Sequence, residues 1–418
     1  MFIDVDQNFP VAKEGRPFPE ILHESAQAIR AAIEVHSASL AETTGGLHDA
    51  LVAKLAEKTI FKMRMDGSVS RVVDESLRLE CFDHFPDVLM DVPAADLWRH
   101  LRGPSLFYLP GRQTEPLFVS VLLHGNEDTG WRAIQAVLRQ HRATILPRPL
   151  LLFVGNIEAA KTNVRTLPQQ EDYNRAWPGT PRPDTSVASL MRDVVEIVQR
   201  EKPFASIDIH NNTGHSPHYA CVNRLGEAHL QLARLFSRTV VYFQQPFGVQ
   251  PAALATICPA VAVECGRVGE ATGVAHATEL IASAMAMQHF PQDRVPEGDL
   301  DLMQTFAIIK IPPDASFSFD GSDADFRLRA DLDCLNFSEL DSGTRFGTLG
   351  SGGRRRLDVL PVGGSTADAG YFEYAHGEIE LSQRAIPAML TLDPHAVRLD
   401  CLGYLMHRIG RDGRRLAE

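Results

Sequence analysis

Hydrophobic positions along the 418-residue chain follow three successive patterns. Over residues 1–103 apolar side chains recur at three-and-four spacing, most clearly in PEILHESAQAIRAAIEVHSASLAE (19–42) and GLHDALVAKLAEKT (46–59), which predicts a helical segment. From 104 to about 290, short apolar runs of strand length alternate with amphipathic stretches. The runs are SLFYL (105–109), LFVSVLL (117–123), PLLLFVG (149–155), FASIDI (204–209), TVVYF (239–243) and PAVAVE (259–264), with helical periodicity near 129–141, 186–200, 226–236 and 274–289. Strands alternating with helices of that length predict an α/β fold whose mixed, mainly parallel sheet is covered on both faces. A turn-rich stretch, HFPQDRVPEGD, then marks a boundary, and short runs such as FAIIKI, FRLRADL, LDVLPV and AMLTL follow, broken by Gly, Asp and Ser. The division expected is a helical segment over 1–103, a catalytic α/β domain over 104–295 and a smaller β-rich domain over 296–418.

Composition narrows the function classes. The hydrophobic fraction of 44% and charged fraction of 22% are those of an ordinary globular protein. A net charge of −12 argues against a phosphate-tracking surface, so no nucleic-acid partner is expected. The basic clusters at Arg354–Arg356 and Arg408–Arg415 lie beside glycines without interleaved aromatics and read as solvated loops. The opening MFIDVDQNFPVAKEG lacks the apolar core of a targeting peptide, and no run approaches the roughly 20 apolar residues of a membrane span. Six cysteines, at 81, 221, 258, 265, 334 and 401, form no CxxC pair and suggest neither a zinc ribbon nor a disulfide framework, so a cytoplasmic setting is expected. Oligomeric state is not legible.

Candidate chemistry sits where the strands end. LFVSVLL runs into His124, Gly125, Asn126 and Glu127, and Asp128 or Thr129 can cap the helix that follows. Taken alone, HxxE describes a turn with a surface imidazole as well as it describes a ligand pair. Three further strands end in the same way, however. FASIDI leads into His210 and NNTGHSPH, PAVAVE closes on Glu264, and PLLLFVG leads into Asn156 and a loop ending EDYNRAW. Open α/β sheets bind ligands beyond the carboxyl ends of their strands, so four such ends point to one pocket. Catalytic zinc commonly takes three ligands drawn from His and carboxylate, a set that His124, Glu127 and His210 supply. A further carboxylate that does not bind the metal is needed to accept a proton from the attacking water, and Glu264 fits. His215 and His218 form an HxxH with no acidic partner nearby in sequence and read as pocket-lining or surface groups. GRVGEATG (266–273) lacks the Lys-Ser/Thr of a phosphate loop.

The order HGNE, an Asn-Arg loop, D-x-H-N and an apolar run into E-x-G resembles the succinylglutamate desuccinylase/aspartoacylase family, a branch of the zinc carboxypeptidase-like fold. The resemblance covers 104–290 well and the C-terminal region weakly. It implies one zinc per chain on His124, Glu127 and His210, and Glu264 as general base. It further implies substrate-binding roles for Asn174 and Arg175 of DYNR, for Arg165 in the same loop, and for Tyr371, on a small substrate bearing a carboxylate. One departure stands out: the arginine that aspartoacylases carry ten residues before the base is Leu254 here. The expected activity is zinc-dependent hydrolysis of an amide in a small N-acylated amino acid or related compound. The alternatives are a zinc carboxypeptidase acting on peptides or cell-wall fragments, and a non-catalytic zinc- or metabolite-binding protein, which would have no need of Glu264.

Overall fold

The computed structural model describes residues 77–296, 298–350, 354–362 and 370–416. Both helices expected at 19–42 and 46–59 lie outside these. The described end of the N-terminal segment, 77–103, is not α-helical. It holds strand β1 (Glu80–Phe82) and two 3-10 turns, Asp87–Met90 and Ala94–Arg99. Pro86 and Pro93 immediately precede those turns in extended conformation, and prolines so spaced deny a continuous helix its amide donors. The segment packs on the sheet-covering helix α1 (Thr129–Gln140), where Trp131 Nε1 donates to Val92 O and Gln135 Nε2 donates to Leu89 O, both at 2.8 Å.

The main sheet has twelve strands. Its centre is β4 (Leu150–Val154), β3 (Leu117–Val121), β5 (Ala205–Asn212) and β8 (Ala260–Arg267), all mutually parallel. Beyond β4 lie β2 (Ser105–Leu109), antiparallel to it, and then β1. Beyond β8 lies β6 (Tyr219–Val222), antiparallel to it and not anticipated from the sequence, followed in parallel by β7 (Thr239–Tyr242). Alternate side chains of the central strands enter different cores. Val119, Val121 and Leu152 pack with Trp131 and Ile134 of α1 and with Leu280 and Ile281 of α6 (Ala271–Ala286). Phe118, Leu151 and Phe153 pack on the other face with Leu190, Met191 and Val194 of α3 (Ser186–Glu201). Burial on both faces is why these strands read as continuous apolar runs. The short helix α2 (Ile157–Lys161) follows β4 and packs on the 3-10 turn at Ala94–Arg99, α5 (Gln250–Leu254) packs against β5 and β8, and α4 (Glu227–Phe236) packs beside β6.

The sheet does not stop at residue 296. Strand β9 (Asp301–Lys310) pairs in parallel with β7, and β17 (Gly403–Arg408), β16 (Ile386–Ala388) and β13 (Asp358–Pro361) extend it by antiparallel pairing. One core joins both sides of the expected boundary, packing Tyr219, Cys221 and Val241 with Met303, Tyr404 and Met406. A separate five-stranded sheet contains β10 (Phe317–Ser318), β11 (Phe326–Leu328), β12 (Arg345–Leu349), β14 (Phe372–Glu373) and β15 (Glu378–Leu381). Helix α7 (Pro394–Leu399) precedes β17. The basic clusters are not simply solvated. Arg355 pairs with Asp314, and Arg408, at the end of β17, pairs with Asp301, while Arg411 pairs with Glu227. No helix of the described residues is long and apolar enough to cross a membrane, and the six cysteines are free.

Candidate metal centre and its surroundings

The turn after β3 is shaped by two backbone constraints. Leu122, fully buried, takes a left-handed φ of 56°, which swings the chain out of the strand just before His124. Gly125 has no positive φ. Its lack of a side chain is required by close approach, since a Cβ there would lie 2.2 Å from Ala160 N and 2.3 Å from Ala159 C, backbone atoms of α2. Helix α1 then starts at Thr129 with Asp128 as N-cap, although the Asp128 side chain makes no capping hydrogen bond.

This turn brings His124 and Glu127 to His210, at the end of β5. Nδ1 of His124 lies 2.7 Å from one Glu127 oxygen and Nδ1 of His210 lies 2.8 Å from the other. One ligand atom from each residue falls within 4.8 Å of the other two, and all three residues are buried. The outward nitrogens are also occupied by carboxylates: His124 Nε2 lies 3.1 Å from Asp172 and His210 Nε2 lies 2.7 Å from Asp208. A carboxylate behind each imidazole fixes ring orientation and tautomer and makes the inward nitrogen a better donor to a metal, so the residues fit a zinc ion. Burial opposes ionisation of Glu127, but the two imidazoles hold its carboxyl far below the usual range. Burial likewise disfavours the imidazolium of His210, and Asp208 overcomes this and raises its pKa well above the ordinary value.

Strand register sets the remaining groups. Ser120 of β3 stands opposite Asp208 of β5, and its hydroxyl donates to the Asp208 carboxylate at 2.6 Å. Glu264 of β8 stands opposite His210 on one side and Tyr219 on the other. It accepts a hydrogen bond from Asn212 Nδ2 at 2.9 Å. Burial pushes its carboxyl up to about 7, against the lowering influence of His210 and with that of Glu127 added.

The DYNR loop closes the group from another direction. Asp172 accepts from Asn174 N at 2.7 Å and receives Nε and Nη2 of Arg165 at 3.2 and 2.9 Å. Although burial works against it, the Arg165 guanidinium holds Asp172 well below the usual carboxylate range. Asn174 Nδ2 lies 3.1 Å from His210 Nε2, and its Oδ1 accepts from Gln250 N at 3.2 Å. Arg175 reaches Asp400 at 2.7 Å. The structure thus brings His124, Glu127, His210, Arg165 and Asn174 into direct contact. Arg175 stands beside them through Asn174, whose carbonyl accepts from its Nη1 at 2.8 Å. Tyr371 is placed elsewhere: its ring packs with Phe306 in the C-terminal core, and its carbonyl accepts from Ser382 N. His215 donates its backbone N–H to Asp333, and His218 Nδ1 lies 2.9 Å from His276 Nδ1. Among the described residues, His124, Glu127 and His210 form the one group able to hold a metal ion.

Four residues with evident work in this site carry no role in the sequence reading: Asp172, Asp208, Asn212 and Asp400. Asp208 had a signal, being the charged residue inside an otherwise apolar strand, and so did Asp172, which opens the loop of Asn174. Asn212 gave only its place in the polar run after His210. Nothing near Asp400 in sequence points to Arg175.

Comparison with known proteins places residues 113–292 as a match to the succinylglutamate desuccinylase/aspartoacylase catalytic domain. No curated protein matches the chain. Among solved structures, the chain is similar to a succinylglutamate desuccinylase/aspartoacylase from Rhodobacter sphaeroides, with 15% identity, coverage of 73% of this chain and 89% of that one, and a TM-score of 0.49. It is similar to a succinylglutamate desuccinylase from Vibrio parahaemolyticus at 15% identity, covering 72% and 84% with a TM-score of 0.49. Murine aminoacylase 3 is 14% identical, with 72% and 97% covered and a TM-score of 0.46.

Proposed function

From the premise that residues 113–292 carry a succinylglutamate desuccinylase/aspartoacylase catalytic domain, we propose that the protein is a zinc-dependent hydrolase cleaving the amide bond of a small N-acylated amino compound. The observation that carries this reading is the pairing of two kinds of carboxylate in one buried cluster. Glu127 lies between the two imidazoles, whereas Glu264 stands on the neighbouring strand and is held by Asn212 instead.

His124, Glu127 and His210 would hold one zinc ion. When bound, zinc supplies Lewis acidity and a water of lowered pKa. The protein's own residues account for the rest. Asp172 and Asp208 keep the two imidazoles oriented with their Nδ1 atoms inward. Glu264, with its carboxyl near 7, is matched to taking a proton from water at neutral pH and returning it to the leaving amine. Arg165, Asn174 and Arg175 border the group and are assigned to holding the substrate. The six free cysteines support a cytoplasmic setting.

Glu264→Gln tests the reading and separates an enzyme from a binding protein. The amide preserves the Asn212-facing shape but cannot accept a proton. With zinc content equal to the parent, kcat on N-acylated amino compounds should fall by about 10²- to 10⁴-fold while KM changes little. A zinc-replete variant turning over near the parental rate would remove Glu264 as the base.

A further inference from the structure

We propose that Asp400 determines substrate choice by occupying the guanidinium of Arg175, so that the site takes acylated amines whose amine portion ends in a neutral hydrogen-bonding group such as an amide and disfavours those carrying a carboxylate there. The proposal deepens the hydrolase reading and rests on it only for the acyl half of the substrate.

Arg175 is the natural seat for a substrate carboxylate, because a guanidinium is a planar, permanently charged donor. In this chain a carboxylate is already on it. Asp400 Oδ2 lies 2.7 Å from Arg175 Nη2 and 3.7 Å from Arg165 Nη2. Arg165 is meanwhile held by Asp172 at 2.9 Å. Two guanidiniums therefore face two carboxylates in direct contact, and neither guanidinium is left without a carboxylate partner. Glu127, 3.9 Å from Arg165, tips the balance further towards the acids. An incoming carboxylate would have to displace Asp400 or sit against it.

Displacement is resisted by how Asp400 is built in. It caps the C-terminus of α7, its backbone N–H donating to Ala396 O at 3.0 Å. Two residues later, Leu402 N donates to Ile309 O at 2.8 Å as the chain enters β17. Asp400 is thus pinned on both sides by backbone hydrogen bonds. Its side chain is about a quarter exposed, at 24%, and Arg175 and Arg165 are similarly open at 22% and 20%. The pair is accessible enough to meet a ligand. A ligand amine or amide N–H can donate to the free lone pairs of Asp400, and a neutral carbonyl can accept from the donors of Arg175 that Asp400 and Asn174 do not use. A carboxylate satisfies only the second and meets like charge at the first.

Hydrolysis products give a test that needs no turnover. Alanine and alaninamide differ only in presenting a carboxylate or a carboxamide beside the same amine. Calorimetric binding to the zinc-loaded full chain should rank alaninamide at least about tenfold above alanine. Asp400→Asn should close or invert that gap by tightening alanine by about tenfold or more. Parental binding that is tightest for alanine, or an alanine affinity left unchanged by Asp400→Asn, overturns the proposal. A purely structural role for Asp400 would weaken both ligands together without changing their ratio, and that outcome also counts against it. Should the variant fail to fold, the parental ranking alone decides. The matched N-acetyl compounds are then assayed for hydrolysis: the expected ranking without any turnover defeats the hydrolase reading and leaves Asp400 standing, whereas turnover without the ranking does the reverse.

Discussion

Each imidazole of the centre is sandwiched between two carboxylates, Glu127 on the inner side and Asp172 or Asp208 on the outer. Buried charges in such density are stable only when paired and hydrogen-bonded, and here Ser120, Asn211 N, Asn174 N and Arg165 supply the additional donors. On the proposed zinc reading, the outer carboxylates would matter for metal affinity as much as for folding. Asp208→Asn keeps the side-chain volume but removes the charge that orients and polarises His210. Zinc affinity, measured by competition with a chelator, should fall about 10- to 100-fold, as is usual when a carboxylate behind a ligand is lost. An unchanged affinity would show that Asp208 does not set the tautomer and orientation of His210.

At the scale of elements, the turn that carries His124 is a place where the backbone of β3 leaves its strand through a left-handed leucine and passes against α2 with no room for a side chain. Because a Cβ on Gly125 would meet main-chain atoms rather than the end of a flexible side chain, the clash cannot be relieved by a rotamer change. Gly125→Ala should therefore destabilise the protein by roughly 1–3 kcal/mol, the usual cost of forcing extra volume into a packed site, read from denaturant midpoints. The same shift moves His124, so zinc affinity should drop in parallel. A variant with parental stability and parental affinity would mean that α2 yields without strain.

For the molecule as a whole, the continuous sheet has a direct consequence. Strand β7 pairs with β9, and the core around Tyr219 and Val241 is completed by Met303, Tyr404 and Met406. The far part of the chain also reaches the site, through Asp400 on Arg175, and ties down the ends of β8 and β5, through Asp333 on Arg267 and Thr391 on Thr213. A fragment ending near residue 296 would expose an unpaired edge and half a core, so it should aggregate or melt without cooperativity instead of unfolding as a unit. A soluble fragment of residues 104–296 with a sharp thermal transition would establish that the two parts fold separately.

What the sequence determined by itself was whatever depends on near neighbours. Five- to seven-residue apolar runs specify buried strands, so four of the six runs of the middle region coincide closely with β2, β3, β4 and β7, while the strands begun by FASIDI and PAVAVE run on, β5 as far as Asn212 and β8 as far as Arg267. His124 and Glu127, just past the end of β3, and His210 and Glu264, at the close of the apolar runs that become β5 and β8, were legible because the place where an apolar run gives way to polar residues is itself a local feature. Strand β6 was missed, since YACV is too short and too closely followed by polar residues to stand out from its loop. The 3-10 turns at 87–99 replaced an expected helix because two prolines outweighed the apolar spacing. Everything that depends on who stands opposite whom was decided by the tertiary structure: Ser120 against Asp208, Glu264 between His210 and Tyr219, and Asp400 against an arginine 225 residues earlier. The physical reason is that periodicity reports which face a side chain occupies, whereas its partner across that face is set by strand register and by chain closure over long loops, and closure costs too little extra with length for sequence separation to forbid any pairing.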